Sequence, residues 1–120
     1  MSPRRGVPGR GDLVWIDMSP QSGHEQGGRR PALVLSPESY NAKAGLALLC
    51  PVTGRRKGYP FEVTLPPGLP VQGVVLSDQV RSLDWRARRV EHAGNAPVEV
   101  VDEVLAKLAP LLTESLGPNA

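Results

Sequence analysis

Short apolar runs alternate with glycine, proline and charged residues over the first ninety positions of the chain. Runs of this length, rich in valine and leucine and bounded by turn residues, are typical of β-strands. Thirteen glycines and thirteen prolines in 120 residues favour frequent turns and therefore short strands. The pattern predicts seven strands: Asp12–Met18, Pro31–Ser36, Leu46–Thr53, Phe61–Leu65, Val74–Leu76, Val80–Leu83 and Ala87–Glu91.

Two segments have helical signals. Ser36 followed by Pro37 predicts a short helix with Ser36 as N-cap, which Gly45 ends after one or two turns. Near the C-terminus, apolar residues at spacings of three and four predict a second helix with one apolar face. Pro110 lacks a backbone donor, so we expect this helix to kink or end near Ala109. The apolar face consists of Val101, Val104, Leu105, Leu108 and Leu112.

Many short strands followed by one helix predict a single mostly-β domain with helix. We expect a small β-barrel of about five to seven short strands, with one short internal helix and a C-terminal helix packed against it. The predicted boundaries are a flexible N-terminal arm at residues 1–10, the domain at residues 11–116 and a tail at residues 117–120.

Charge is unevenly distributed along the chain. Through residue 90 there are 13 Lys and Arg against 7 Asp and Glu, a net +6, and from residue 91 there is one Lys against 5 acids, a net −4. A basic body favours a polyanion or an acidic peptide as partner. Cys50 is the only cysteine, and no signal peptide or membrane span stands out, so we expect a cytoplasmic protein with no membrane partner.

The glycine-rich segment Ser19–Pro31 concentrates reactive side chains in a predicted loop. It contains His24, Glu25, Arg29 and Arg30 within seven positions. A surface loop has little structural need for an acid and two arginines so close together. Composition alone makes this segment a mobile, charged loop with more reactive residues than a surface loop needs.

These residue types suit RNA cleavage without a metal or other cofactor. His24 and His92 are far apart in sequence, and no cluster has the spacing of a metal site. In metal-free cleavage the ribose 2′-OH attacks the adjacent phosphorus, so the enzyme supplies proton transfer and charge stabilisation. A carboxylate takes a proton, arginine binds phosphate, and Thr53 adds a hydroxyl.

Five ordered segments carry a more specific pattern. They are Gly-Asp-Leu-Val-Trp-Ile-Asp (11–17), Glu-Gln-Gly-Gly-Arg-Arg-Pro-Ala-Leu-Val-Leu-Ser-Pro (25–37), Tyr-Asn-Ala-Lys-Ala-Gly (40–45), Lys-Gly-Tyr-Pro-Phe-Glu-Val (57–63) and Ser-Asp-Gln-Val-Arg-Ser-Leu-Asp-Trp-Arg-Ala-Arg (77–88). In this order they closely resemble the MazF/PemK (Kid) family of toxin endoribonucleases. The resemblance extends from about Gly11 to Leu112, nearly the whole domain.

The resemblance implies an SH3-like barrel that works as a homodimer and as the toxin of a type II toxin–antitoxin system. It implies metal-independent, sequence-selective cleavage of single-stranded RNA that leaves a 2′,3′-cyclic phosphate and a 5′-hydroxyl. A MazE-like antitoxin with an acidic, extended tail would neutralise it. By motif match we assign Glu25 as base, Arg30 as charge stabiliser and candidate acid, and Thr53 as hydroxyl donor to phosphate. The match also implies that Gly23 to Gly28 form a flexible flap that carries Glu25 and becomes ordered only when RNA or the antitoxin binds, while Arg30 lies where the second strand begins. The expected RNA contacts are Arg29, Arg56, Lys57, Gln79, Arg81 and Arg86.

Alternatives remain open for the function and for three residues. A CcdB-like toxin that poisons DNA gyrase without catalysis would share the barrel, and an inactive RNA-binding module would bind RNA without cutting it. His24 either assists proton transfer or has no role. Trp15 and Trp85 are expected in the core rather than at a binding surface.

Overall fold

The computed structural model describes residues 6–19 and 23–114 of the chain. These residues form seven strands, two helices and the loops between them. This composition confirms the predicted mostly-β fold with one short internal helix and a C-terminal helix. In chain order the elements are β1 (Asp12–Asp17), β2 (Arg29–Val34), α1 (Glu38–Ala44), β3 (Leu46–Thr53), β4 (Glu62–Thr64), β5 (Val74–Leu76), β6 (Arg81–Asp84), β7 (Glu91–Asn95) and α2 (Val98–Thr113).

All the strand pairs are antiparallel, and β3 pairs with three other strands, β2, β5 and β6. The order across the sheet is β4-β5-β3-β2-β1-β7, and β6 also pairs with β3. One edge of β3 pairs with β2; along its other edge, residues 46–49 pair with β6, and Val52 and Thr53 pair with β5. Thr53 therefore lies at the end of β3, beside Val74 of β5.

The two faces of the sheet bury separate apolar clusters. Side chains alternate between the faces, so Leu33 packs into the cluster that includes Val104 of α2, while Val34 packs into the cluster that includes Trp85. The prediction that Trp85 is a core residue is confirmed. The same prediction for Trp15 is wrong, because Trp15 lies beside Pro31 and the exposed Glu91 and keeps 39% of its surface exposed.

Helix α1 starts one residue later than predicted. Pro37 is its N-cap, and no side chain caps the helix. Ser36, predicted to be the N-cap, is buried: its hydroxyl donates to Oδ1 of Asn41 at 2.6 Å and accepts from the Leu48 N–H at 2.8 Å. The predicted end at Gly45 is confirmed, since Gly45 adopts a left-handed conformation at φ 71°.

Helix α2 continues through Pro110 to Thr113, so it does not end near Ala109; a kink there, the other predicted outcome, stays a prediction. Pro110 lies in the final turn, where the helix loses one backbone bond and where Glu114 N–H still donates to the Pro110 carbonyl. The predicted apolar face is buried at Val101, Val104 and Leu108 and half-buried at Leu105; Leu112 is 71% exposed, against expectation.

The predicted strand Ala87–Glu91 is wrong, because residues 85–89 form a turn and β7 begins only at Glu91. The Asp84 carboxylate accepts a hydrogen bond from Ala87 N–H at 3.0 Å, and Val90 N–H donates to the Trp85 carbonyl at 2.9 Å. The turn is closed by Arg89 at φ 56°, the one non-glycine residue with positive φ in the described ranges.

Replacing Arg89 by glycine is expected to stabilise the protein by about 0.5–1 kcal/mol. A left-handed residue with a Cβ costs about 1–2 kcal/mol, part of which is offset by the greater chain entropy of glycine when unfolded. Urea unfolding of Arg89→Gly measures the change. Ala87→Gly is the control: Ala87 does not have a positive φ, so glycine there should lower stability. Equal loss of stability in both variants would contradict this account of the turn.

The N-terminal segment packs against the domain from Val7 onward. Val7 contacts the second apolar cluster, the Pro8 carbonyl accepts from Asn41 Nδ2 at 2.7 Å, and Arg10 Nε donates to the Leu35 carbonyl at 2.6 Å. These contacts hold residues 7–10 against the domain, whereas a flexible arm was predicted there; the domain boundary at residue 11 stays a prediction. Residues 1–5 of the predicted arm and the predicted tail at 117–120 lie outside the described residues.

Candidate active site

A cleft of about 730 Å³ opens where four segments meet: the loop before β2, the end of β3, the loop between β3 and β4, and the connection from β5 to β6. These segments are distant in sequence, and the sheet topology brings them to one place. The cleft is lined by His24, Glu25, Gln26, Gly27, Arg30, Thr53, Arg55, Lys57, Tyr59, Glu62, Leu76, Asp78 and Gln79.

All three predicted catalytic residues, Glu25, Arg30 and Thr53, line this cleft. Arg30 lies in β2 and is half-buried. Its Nε donates to the Gly27 carbonyl at 3.0 Å and its Nη1 donates to the Val52 carbonyl at 3.4 Å. The guanidinium is thus fixed between the loop that carries Glu25 and the strand end that carries Thr53.

Thr53 is buried at the floor of the cleft. Its Oγ1 accepts a hydrogen bond from Arg55 N–H at 3.2 Å, which orients the hydroxyl oxygen and leaves its hydrogen to be donated elsewhere. Gly73 approaches the same residue from the neighbouring segment so closely that a Cβ there would lie 2.3 Å from the Thr53 carbonyl oxygen. The position of Thr53 therefore depends on a glycine at residue 73.

Glu25 is exposed, and the backbone on both sides of it is held by Gln79. Gln26 N–H donates to Gln79 Oε1 at 3.2 Å, and Gln79 Nε2 donates to the His24 carbonyl at 3.3 Å. The base of the loop is closed by Met18 N–H donating to the Gly28 carbonyl at 2.8 Å. Whether Glu25 becomes ordered only on binding a partner stays a prediction.

The end of β1 contributes charge at the base of this loop. Ser19 N–H donates to Asp17 Oδ1 at 2.9 Å, and this backbone bond is the main reason that the pKa of Asp17 lies below its ordinary value. A second bond from Ser19 and the nearby Arg88 and Arg89 charges lower this pKa further. Asp17 is therefore a carboxylate that fixes the turn into the loop.

Several lining residues were not singled out from the sequence, among them Tyr59 and Asp78. Tyr59 is half exposed at the cleft wall, and its ring lies 5.8 Å from that of Phe61. Asp78 has a buried Oδ1 with no hydrogen-bond partner in the described structure. The available signal for both was their place in the ordered segments, Tyr59 in residues 57–63 and Asp78, beside Gln79, in residues 77–88.

Among the predicted RNA contacts, Lys57 and Gln79 line the cleft, while four arginines are not among its lining residues. Arg29 pairs with Glu91 at 3.2 Å, Arg81 Nη1 donates to the Met18 carbonyl at 2.6 Å, and the Arg86 guanidinium lies 4.8 Å from the Trp85 ring centroid. Arg56 is exposed in the loop between β3 and β4. Three of these arginines, Arg29, Arg81 and Arg86, therefore already contact other groups of the protein.

The cleft is charge-balanced rather than uniformly basic. Its lining includes three cations, Arg30, Arg55 and Lys57, and three carboxylates. One carboxylate, Glu62, accepts hydrogen bonds from the backbone of Lys57 at 3.0 Å and Gly58 at 3.2 Å, so it holds the loop between β3 and β4. The net basic charge of the sequence is therefore not concentrated in the cleft.

Cys50 has no nucleophilic character in the folded protein. Burial, with a smaller contribution from Asp78, raises the pKa of its thiol to about 12, so it stays protonated at neutral pH. Within residues 6–19 and 23–114, no group of three or more His, Cys, Asp or Glu side chains could hold a metal ion. No helix in the same ranges is long and apolar enough to cross a membrane.

Residues 9–112 match the model of the family described as "PemK-like, MazF-like toxin of type II toxin-antitoxin system". The chain is 48% identical over 108 residues to the endoribonuclease toxin MazF of Escherichia coli K12, an alignment covering 90% of this chain and 96% of that protein. It is 36% identical to the Escherichia coli endoribonuclease PemK, with 87% of this chain and 81% of that protein covered.

Solved structures agree with the sequence comparison. The crystal structure of MazF from Deinococcus radiodurans has a TM-score of 0.85 and 63% sequence identity, covering 88% of this chain and 96% of that one. A MazE–MazF crystal structure from the same organism has a TM-score of 0.82 and 62% identity, covering 91% and 98%. The two Escherichia coli relatives are endoribonucleases, and none of these matches supports a CcdB-like alternative. The chain belongs to the PemK-like, MazF-like family of toxins of type II toxin–antitoxin systems.

Proposed function

We propose that this chain is a metal-independent endoribonuclease that cleaves single-stranded RNA at preferred sequences. The observation that carries the proposal is the convergence of Glu25, Arg30 and Thr53 in one cleft from two separate parts of the chain, the segment that leads into β2 and the end of β3. The endoribonuclease relatives, at up to 48% identity over most of the chain, support the same reaction class. Messenger RNA in the cytoplasm is the expected substrate.

The proposed reaction uses a nucleophile that the RNA supplies. Glu25 accepts the proton of the ribose 2′-OH, whose oxygen attacks the adjacent phosphorus and forms a 2′,3′-cyclic phosphate. The bond to the 5′ oxygen breaks, and that oxygen leaves as a hydroxyl after taking a proton, for which Arg30 is the candidate donor. Carboxylates are suited to the first transfer because they are ionised at neutral pH.

Arg30 and Thr53 stabilise the charge that builds up on the phosphoryl oxygens. A guanidinium is positively charged at neutral pH and binds phosphate through two parallel N–H groups. Its bonds to the Gly27 and Val52 carbonyls fix its position before RNA binds, so little reorganisation is needed. The Thr53 hydroxyl, oriented by Arg55 N–H, adds a neutral donor on the other side of the phosphate.

The residues that contact the rest of the RNA are proposed from the cleft lining. Lys57 supplies a phosphate contact, and Tyr59 supplies an exposed ring on which a base can stack. Arg56, exposed beside them, remains a candidate phosphate contact. Arg29, Arg81 and Arg86 are not proposed as primary contacts, because their guanidiniums are engaged elsewhere in the protein.

We also propose that a cognate antitoxin with an acidic, extended tail inhibits the enzyme, and that the active form is a homodimer. The MazE–MazF complexes of the Deinococcus relative support the antitoxin. Since the cleft contains carboxylates of its own, an acidic tail would be attracted to Arg30, Arg55 and Lys57 individually rather than to a uniform basic groove. Light scattering of the purified chain tests the dimer.

Incubating the purified chain with a long RNA in EDTA tests the proposed function. We expect cuts at a limited set of sequences in single-stranded regions, with each upstream product ending in a cyclic phosphate. Intact RNA together with inhibited DNA gyrase would overturn the proposal in favour of a gyrase poison. RNA that is bound but not cut would overturn it in favour of a binding module.

A further inference from the structure

Gln79 pairs with the backbone on both sides of Glu25. Its Oε1 accepts from Gln26 N–H at 3.2 Å, and its Nε2 donates to the His24 carbonyl at 3.3 Å. A primary amide carries a donor and an acceptor side by side. It can therefore hydrogen-bond to the same two backbone groups that a neighbouring β-strand would bind. The contact fixes the residue between the two groups, which is Glu25.

The backbone that carries the Gln79 side chain lies in a fixed part of the fold. Its own N–H donates to the Leu76 carbonyl at 3.1 Å, which closes a turn directly after β5. In β5, Val74 pairs with Thr53 of β3. Gln79 therefore ties the position of Glu25 to the same pair of strands that places Thr53.

The segment that follows Gln79 holds the base of the same loop. Arg81 Nη1 donates to the Met18 carbonyl at 2.6 Å. Arg88 Nη1 donates to the Asp17 carbonyl at 3.1 Å and to the Ser19 carbonyl at 2.6 Å. Three side chains from residues 79–88 thus bind backbone groups of the loop, at its base and next to Glu25.

We propose that Gln79 is a positioning residue for RNA cleavage, acting through Glu25 rather than by reading the RNA. This inference rests on the proposed function, in which Glu25 is the base. A base must lie within hydrogen-bond reach of the proton it removes, and displacement by about 1 Å can cost about 10² in rate. The amide holds the backbone at Glu25, which lines the cleft together with Arg30.

Steady-state cleavage by Gln79→Ala separates positioning from RNA reading. We expect kcat to fall about 10- to 10²-fold, with KM changed by less than about twofold and with the preferred cut sequences unchanged. Gln72→Ala is the matched control: Gln72 also donates from its amide to a backbone carbonyl, that of Leu69 at 2.8 Å, but outside the cleft. A rise in KM with altered cut sequences in Gln79→Ala would overturn the proposal.

A double-mutant cycle tests whether Gln79 acts through the Glu25 carboxylate. In the Glu25→Gln background, adding Gln79→Ala should lower the residual rate by less than about twofold, because no base remains to be positioned. The same loss in both backgrounds would overturn the proposed role of Gln79 while leaving Glu25 as base. Full activity of Glu25→Gln alone would instead overturn the assignment of the base.

Amide hydrogen exchange tests the contact without reference to activity. In Gln79→Ala, exchange at Gln26 N–H should speed up about 5- to 10-fold, since a hydrogen bond of ordinary strength is lost. Gln79→Glu keeps the acceptor for Gln26 N–H and loses the donor to the His24 carbonyl. In that variant the Gln26 N–H should therefore stay protected from exchange. Unchanged exchange in Gln79→Ala would overturn the contact on which the inference depends.

Discussion

Replacing Arg30 by alanine is expected to lower the rate of RNA cleavage by about 10² to 10³ while the protein still folds. Loss of one preorganised donor to a developing anionic charge has this size in other enzymes. Arg30 is half-buried and bonded to the Gly27 and Val52 carbonyls, so its guanidinium is already in place when RNA arrives. Single-turnover cleavage of a short RNA measures the loss, and circular dichroism verifies the fold.

The neighbouring arginine provides the control for this variant. Arg29 has the same charge, but it is exposed, pairs with Glu91 and is not among the cleft-lining residues, so Arg29→Ala should change the rate by less than about threefold. Arg30→Lys keeps the charge and loses the two-pronged geometry, so it should recover only part of the rate. Undiminished cleavage by Arg30→Ala would contradict the site assignment.

Replacing Gly73 by alanine is expected to destabilise the protein by about 2–4 kcal/mol and to remove most cleavage activity. A Cβ at residue 73 would lie 2.3 Å from the Thr53 carbonyl oxygen and 2.9 Å from its carbonyl carbon. Both atoms belong to backbone, so the chain at Thr53 has to move, and its hydroxyl moves with it. Urea unfolding and cleavage rate measured on the same preparation report both effects.

Gly68 offers the matched control for Gly73. Both glycines have positive φ, +92° at Gly68 and +122° at Gly73, but a Cβ at Gly68 would meet nothing within 4 Å. Gly68→Ala should therefore cost only the backbone strain, about 1–2 kcal/mol, and leave cleavage intact. Equal losses of stability and activity in the two variants would contradict the importance of the contact with Thr53.

The strand pattern of the sequence was informative where hydropathy decides the structure. Strands β3 and β5 have the predicted bounds, because each is an apolar run that is mostly buried. The strand predicted at Ala87–Glu91 failed for a local reason: the Asp84 carboxylate and the left-handed Arg89 build a turn there. Hydrogen bonds of this kind, between a side chain and the backbone, cannot be predicted from the pattern of apolar residues along the sequence.

The site was predictable in its residue types and only partly in its geometry. Motif matching brought Glu25, Arg30 and Thr53 together, and all three line one cleft. The downstream motif made Arg81 a candidate RNA contact; its Nη1 donates to the Met18 carbonyl, which the motif did not indicate, and its contact with RNA stays a prediction. The contact of Gln79 with the Glu25 loop spans more than fifty residues, so it becomes visible only when the sheet places β5 beside β3.

The central claim is that the RNA supplies its own nucleophile in a cleft formed by Glu25, Arg30 and Thr53. The most direct test is cleavage in EDTA of two RNAs that differ only by a 2′-deoxy sugar on the 5′ side of the scissile phosphate. We predict that the all-ribose RNA is cut to a 2′,3′-cyclic phosphate and a 5′-hydroxyl, and that the deoxy-substituted RNA is not cut at that position. Equal cleavage of both RNAs at that phosphate would contradict the mechanism.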